Sequence, residues 1–334
     1  MYTHRLLQCL TVAVCPLSVE VLAEVLAVDF TPIGGIPQLK EDLRWEDEEQ
    51  AVLTACSSLI AVVEDENHPG HVVRFSHFSV KEFLTSDRLA TLKMDASRYH
   101  HIRLEEAHMI MAQACLSVLL RLDYDLDKES VKSFPLAEYA AKHFGDHVEF
   151  EGVLSQIRDG VDDLLDAEKP HLAAWPWMRI HVYPRGVHPR QPDAVFLYHI
   201  VVFGYFGLVQ YLISKCPEDV TAVGENGTPL HAASRLGHCE IVDLLLDYFV
   251  DVDVRNRNDQ TPLHLAVSES YSWSRENIGV DSRFFEVIRI LIERKADINA
   301  RDDRGKTPLR QYLSRQMLRQ QPLELLATPR QRNF

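Results

Sequence analysis

A mainly α chain in three parts is what this sequence predicts. Residues 1–95 read as a small α+β domain, 96–192 as an irregular helical linker region, and 193–334 as a helical-repeat solenoid. Three observations carry this reading. Thr-Pro-Leu recurs at 228, 261 and 307. Each recurrence opens a stretch whose apolar residues return at helical spacing. The first 95 residues instead show three helical stretches and then two runs rich in β-branched residues.

The composition is that of folded domains. A length of 334 residues suits about two domains, and 46% apolar content is ample for their cores. The net charge is −14, although residues 301–334 hold eight Lys/Arg against three Asp/Glu. An acidic chain lacks the cations that neutralise phosphate, so no nucleic-acid partner is expected. The six cysteines (9, 15, 56, 115, 216, 239) show no CxxC spacing. That argues against a disulfide framework and a zinc site, and for a reducing, cytoplasmic or nuclear setting. The apolar start is broken by Gln8 and runs through Pro16 into an amphipathic pattern, unlike a signal peptide. No run of 18 apolar residues occurs, so no membrane partner is expected.

In chain order, helices are expected over 4–14 and 18–28, the second with Glu20 and Glu24 on its polar side. The glycines and prolines of TPIGGIPQLKEDLRWED mark a loop, and a third helix follows over 47–57. LIAVVED and HVVRFSHF form a hairpin around ENHPG, and SVKEFLTSDRLA a further helix. Ser76, His77 and Ser79 with Lys81 and Glu82 have the residue types of a nucleophile–base pair. No partner acid or oxyanion loop accompanies them, so they read as the exit from a strand, with Ser79 and Glu82 as a capping box. Three helices followed by a two-stranded wing is the order of a winged helix. The third helix opens with Glu46, Asp47, Glu48 and Glu49 and has no Lys or Arg through Ser58, which opposes a DNA-binding regulator.

RLLQCLTVAV and VVRFSHFSVKEFL resemble the winged-helix segment of fungal NACHT-type (STAND) proteins, a segment also named after GPI inositol-deacylase proteins. The resemblance implies a module that packs against a nucleotide-binding core and transmits its state. No GxxxxGK[ST] for such a core and no GxSxG for a deacylase occurs here. The expectation is therefore a non-enzyme with no catalytic residues, cofactor or metal: a truncated or fragmentary relative of those switches. The alternative is part of an NTPase or hydrolase whose catalytic domain lies upstream.

In the middle segment, 105–122 reads as a helix with Met109, Ala112, Leu116, Leu119 and Leu120 on one stripe, and 134–144 and 151–170 as two more. The acidic strings DYDLDKE and DGVDDLLDAE lack the spacing of a calcium loop. His100, His101, His108, His143, His147, His181 and His188 form no HExxH, and Gly145 with Asp146 is expected to end the helix between His143 and His147. The Pro-rich, aromatic stretch 175–192 is the junction to the repeats.

The repeat unit is readable residue by residue. Thr228, Thr261 and Thr307 can N-cap a helix, and Pro229, Pro262 and Pro308 suit the first helical position. Leu230, Leu263 and Leu309 follow, with His231 and His264 after the first two and Arg310 in the third. Gly237 permits a tight helix–helix turn, and Gly204 aligns with it in an older copy over 197–213. A 13-residue excess near 268–283 stretches the third unit. The period of 33 residues and the TPLH start resemble ankyrin repeats, about three of them plus an incomplete terminal capping unit. That resemblance implies protein binding through hairpin tips and inner helices. The tip residues are Arg255, Arg257, Asn258, Arg301, Asp303 and Arg304, whose charge suits an acidic partner surface; the oligomeric state is not encoded in any motif. His231 and His264 are expected to satisfy backbone groups between repeats. Gly305-Lys306-Thr307 resembles the end of a phosphate loop, but Ala300 stands where that motif needs glycine.

Overall fold

The computed structural model describes residues 2–30, 36–56, 58–65, 70–91, 101–122, 131, 133–166, 174–176, 178, 196–224, 227–269 and 282–320. The stretch 181–195 and most of the 268–283 excess lie outside the described residues. The chain divides into two compact units, 1–191 and 192–334. Among the described residues it is mainly helical, with two small sheets.

The first unit begins with α1 (Tyr2–Val12), β1 (Leu17–Ser18), α2 (Val19–Leu26), β2 (Val28–Asp29) and β3 (Gln38–Leu39). It continues with α3 (Glu48–Cys56), β4 (Ile60–Glu64), β5 (His71–Phe75), α4 (Phe78–Leu84) and α5 (Asp87–Thr91). The wing hairpin β4–β5 pairs antiparallel from Ile60↔Phe75 to Glu64↔His71. β1 adds a third strand, Leu17↔Val73 and Ser18↔Val72, which makes β5 the central strand and buries both Val72 and Val73. A two-residue strand leaves no periodic trace, so this edge was not legible. The start of α4 also differs from expectation. His77 is its N-cap, and its Nδ1 accepts the Ser79 N–H at 3.2 Å. Ser79 is already inside the helix, and its hydroxyl bonds the same ring nitrogen at 2.7 Å. An imidazole does here what a serine usually does.

The middle helices are α6 (Leu104–Leu119), α7 (Leu136–Val148), α8 (Val153–Gln156) and α9 (Arg158–Leu164). α6 packs against α1, α7 and β3, and α8 and α9 also lie against it. Its buried residues include Met111, Ala112, Ala114, Cys115, Leu116, Val118 and Leu119. That is burial on nearly all sides rather than one stripe, the signature of a central helix. α7 runs straight through Gly145 and Asp146, so His143 and His147 share one helix and one face. Burial against α6 outweighs the weak helix propensity of Gly and Asp.

Two of the polar links that join α7 to the winged helix involve buried groups. Glu24, expected on a solvated face, is only 3% exposed. Its carboxylate accepts from Arg44 Nη2 at 2.6 Å and from the Leu136 N–H, the first amide of α7, also at 2.6 Å. Arg44 donates onward to the Ser133 carbonyl at 2.9 Å. Burial raises the Glu24 pKa, against the opposing pull of the Leu136 amide and Arg44. The second link starts at the Val14 N–H, which donates to the Tyr139 hydroxyl at 3.3 Å. The hydroxyl lies 2.8 Å from His147 Nε2, and His147 Nδ1 lies 3.0 Å from His108 Nδ1. One assignment satisfies all three: Tyr139 donates to Nε2, and His147 donates from Nδ1 to His108, with both rings neutral. Burial, with His108 alongside, pushes His147 down to about 3.

The second unit pairs α10 (Phe196–Phe203) with α11 (Phe206–Lys215), α12 (Pro229–Leu236) with α13 (Cys239–Asp247), and α14 (Pro262–Glu269) with α15 (Ser282–Glu293). α16 (Pro308–Gln320) follows. The first helices of each pair pack in sequence, α10 on α12 on α14 on α16, and α11, α13 and α15 form a second layer. Gly204 and Gly237 make equivalent turns at φ 81° and 76°. The outer turns are less favourable. Phe249 takes φ 58° and Lys295 φ 74°, a backbone region that costs a side-chain-bearing residue about 1 kcal/mol. Phe249 is also 98% exposed, so no packing among the described residues offsets that cost.

Two predictions follow from these cores. Phe249→Gly should stabilise the second unit by about 1 kcal/mol in urea unfolding. The unfolded chain protonates His147 near its ordinary value of 6.5 and the folded chain only near 3, so the unfolded state binds the proton first as pH falls. Stability from this group is therefore full above about 6.5 and lost toward 3. His147→Gln, which cannot charge, should lose less unfolding free energy than wild type between those two pH values.

Candidate functional site: the hairpin tips and inner helices of the repeats

The tips are held by one hydrogen-bonded design used twice. Thr228 caps α12 with an extended backbone, and its N–H donates to His231 Nδ1 at 3.2 Å. The Thr228 hydroxyl lies 2.9 Å from the same nitrogen. Because Nδ1 accepts, the ring proton sits on Nε2, which donates to the Gln260 carbonyl of the next tip at 2.9 Å. Thr261 and His264 repeat the pattern at 3.2 and 2.9 Å, with Nε2 donating to the Lys306 carbonyl at 3.0 Å. Burial lowers the His231 pKa, which keeps the neutral tautomer this geometry needs. Gly227, at φ 116°, lies against the ring: a Cβ there would stand 2.8 Å from His231 Cγ. Leu230 and Leu263 are buried in the stack beside their histidines.

Thr307 Oγ1 accepts the Arg310 N–H at 3.3 Å and so caps the last helix, without the histidine bond of the earlier two. Leu309, however, is 64% exposed where Leu230 and Leu263 are buried, since no later repeat covers it among the described residues.

The tips are Asx turns. Asn256 Oδ1 accepts the N–H groups of Asn258 at 2.9 Å and Gln260 at 3.0 Å. In the next tip Asp302 Oδ1 accepts those of Arg304 at 3.1 Å and Lys306 at 2.7 Å. Asp259 and Gly305 take the left-handed backbone at φ 53° and 67°; Asn226, aligned with them, lies outside the described residues. Arg255 is committed to the frame, since its Nη1 donates to the Asp259 carbonyl at 3.0 Å and the Arg301 carbonyl at 2.7 Å. Arg301 reaches the Gly305 carbonyl at 3.5 Å. The Asp303 N–H donates to the Asn258 carbonyl at 3.1 Å and ties one tip to the next.

The other tip side chains are uncommitted. Arg257, Asn258, Asp303 and Arg304 are exposed, and their side chains make no hydrogen bond or ion pair among the described residues. Beside them lies a polar recess of about 370 Å³ lined by Asn258, Gln260, Asp303, Arg304, Lys306 and Gln311, among others. Gln311 is nearly buried, and its Oε1 has no hydrogen-bond partner among the described residues. Sequence reasoning passed over Gln311 and weighed Lys306 only as part of a phosphate loop. A signal was present: Gln311 occupies the position of Ala232 and Leu265 in the earlier copies, a polar residue where the stack otherwise places an apolar one.

Two family models match. One, described as ankyrin repeats (3 copies), covers residues 197–302. The other, described as GPI inositol-deacylase, winged helix domain, covers 1–95.

This chain carries both modules.

Among curated proteins, it is 28% identical over 271 residues to the azaphilone pigments biosynthesis cluster protein L of Monascus ruber, a match covering 74% of this chain and 55% of that protein. It is 37% identical over 103 residues to the palmitoyltransferase AKR1 of Lachancea kluyveri, covering 30% of this chain and 13% of that protein. Protein phosphatase 1 regulatory subunit 12A of Mus musculus matches at 31% over 98 residues, 29% of this chain and 8% of that protein. The chain thus spans about half the length of the first relative and far less of the others. Among the described residues no group of three or more His, Cys, Asp or Glu is placed to hold a metal. His100, His181 and His188 lie outside the described residues. No described helix is long and apolar enough to cross a membrane.

The bridging histidines give a stability prediction. His231→Ala or His264→Ala leaves the buried amide of the capping threonine without a partner and takes one of two donors from the tip carbonyl, which the Asn256 or Asp302 N–H still reaches; it should cost about 2 kcal/mol in urea unfolding of the repeat unit. Arg310→Ala, at the equivalent exposed position, should cost less than about 0.5 kcal/mol.

Proposed function

We propose that this is a non-enzymatic interaction protein, acting inside the cell, whose repeat stack binds an acidic segment of a protein partner at its last two hairpin tips. The observation that carries the reading is the contrast within the tips. Their backbone is fixed by Asx turns and by cross-tip bonds from Arg255 and Asp303, while Arg257, Asn258 and Arg304 stay uncommitted beside a polar recess. A preordered frame holding unpaired donors loses little conformational entropy on binding. The ankyrin match supports a role in protein interaction.

We further propose that the winged helix and the helices packed on it are a working piece of a NACHT-type signalling switch. Its match to the GPI inositol-deacylase winged helix supports this reading. So does the acidic start of α3, where Glu48 and Glu49 occupy the first turn and would repel a nucleic-acid backbone.

The test is a double charge reversal, Arg257→Glu with Arg304→Glu, in the full chain. It should weaken association with a partner identified by cross-linking at least about tenfold, with no fall in melting temperature, since neither guanidinium braces the fold. Undiminished association would refute the tip assignment.

A further inference from the structure

The turn between α1 and β1 places a thiol at the end of a proton path that neither module's match assigns. Cys15 is half-exposed in that turn. Its Sγ lies 3.7 Å from His143 Nε2, and His143 Nδ1 lies 2.8 Å from Asp146 Oδ2. These are the three parts of an activated thiol: sulfur, base, and a carboxylate that orients the base and holds its charge. The winged helix supplies the sulfur and α7 the other two, which is possible only because α7 continues through Gly145 and Asp146. The Tyr139 ring lies 4.9 Å from the His143 ring, centroid to centroid, and fixes its other side.

We propose that Cys15 is a modification site for small hydroperoxides, oxidised by them to the sulfenic acid with His143 as the proton carrier. Sγ attacks the distal peroxide oxygen, so an S–O bond forms and the O–O bond breaks. The sulfur loses two electrons and the peroxide gains them. The proton shared by Sγ and Nε2 moves to the departing oxygen, which leaves as an alcohol, or as water from hydrogen peroxide.

Three features select this chemistry. Burial disfavours charge on His143, but the bonds to Asp146 and Cys15 outweigh it and push the ring up to about 9, so it holds a proton for the leaving oxygen at neutral pH. Acyl transfer is poorly served, because the amides flanking Cys15 leave no second donor to join its own N–H in holding an oxyanion. The Ala13 N–H donates to the Cys9 carbonyl and the Val14 N–H to Tyr139, and Pro16 has none. The half-buried position also favours a small electrophile over a large one. Cys9 and Cys115, by contrast, are fully buried, and burial raises both thiols.

The test is a time course of the full chain with hydrogen peroxide and dimedone, each cysteine followed by peptide mass spectrometry. Cys216 is the comparator inside the same chain: it is likewise half-exposed, and partial burial with Asp219 and Glu218 pushes its thiol up. Cys15 should be trapped at least about tenfold faster than Cys216, as proton delivery to the leaving oxygen requires. His143→Gln should bring it within about twofold of Cys216, and Asp146→Asn should fall between. Equal rates in the wild type, or an undiminished rate in a folded His143→Gln chain, would overturn the proposal. Should that variant not fold, wild type in urea decides: the preference for Cys15 must vanish there, and its persistence would show that the fold contributes nothing.

Discussion

A single imidazole, used the same way in two successive repeats, sets the geometry on which the C-terminal unit depends. His231 and His264 each accept a backbone N–H from their own capping threonine and donate to a carbonyl of the following tip. Both bonds need the neutral ring with its proton on Nε2, so position and protonation are fixed together. The bridge sets the spacing of the tips, which lets Arg255 and Asp303 stitch one tip to the next. Only then are Arg257 and Arg304 held out as uncommitted groups. The presentation of these tip side chains is thus a consequence of buried hydrogen bonding, and the exposed Arg257 and Arg304 contribute almost nothing to the fold.

The first unit rests on buried polar contacts of another kind. Glu24 is desolvated, and its compensation comes from Arg44 and from the first amide of α7, where a helix N-terminus favours negative charge. Such an ion pair specifies an arrangement more than it stabilises one, since much of its attraction only offsets desolvation. Together with the Val14–Tyr139–His147–His108 chain it determines which side of α7 faces the winged helix. The same orientation brings His143 to Cys15.

Legibility differed by scale. The wing hairpin, the capping threonines and the equivalent glycines at 204 and 237 could be read because each is local: a period, a dipeptide or a required backbone angle. Glu24 was misread as solvated because helical periodicity gives a face, not the identity of what covers it. Ser79 was misread as a cap because residue preference ranks serine above histidine, and only the hydrogen bond shows which residue acts. The helix break at Gly145 was misplaced because propensity is a weak prior against burial. In the candidate site, Arg255 and Arg257 look alike in sequence, yet one braces the tips and the other is free.

The sequence by itself determined the repeat period, the capping threonines of the repeat helices and the net negative charge, while the 96–192 segment read as a linker packs into the first unit. The first three follow from short-range sterics, capping chemistry and charge, which act within a few residues of where they are written. Tertiary structure alone decided that α6 is a central buried helix, that a two-residue strand completes the wing sheet, that Gln311 lines a recess, and that Cys15 meets His143 and Asp146. Each of these depends on groups distant in sequence, brought together by burial of apolar surface. That force has magnitude but no direction, and no local pattern encodes its result.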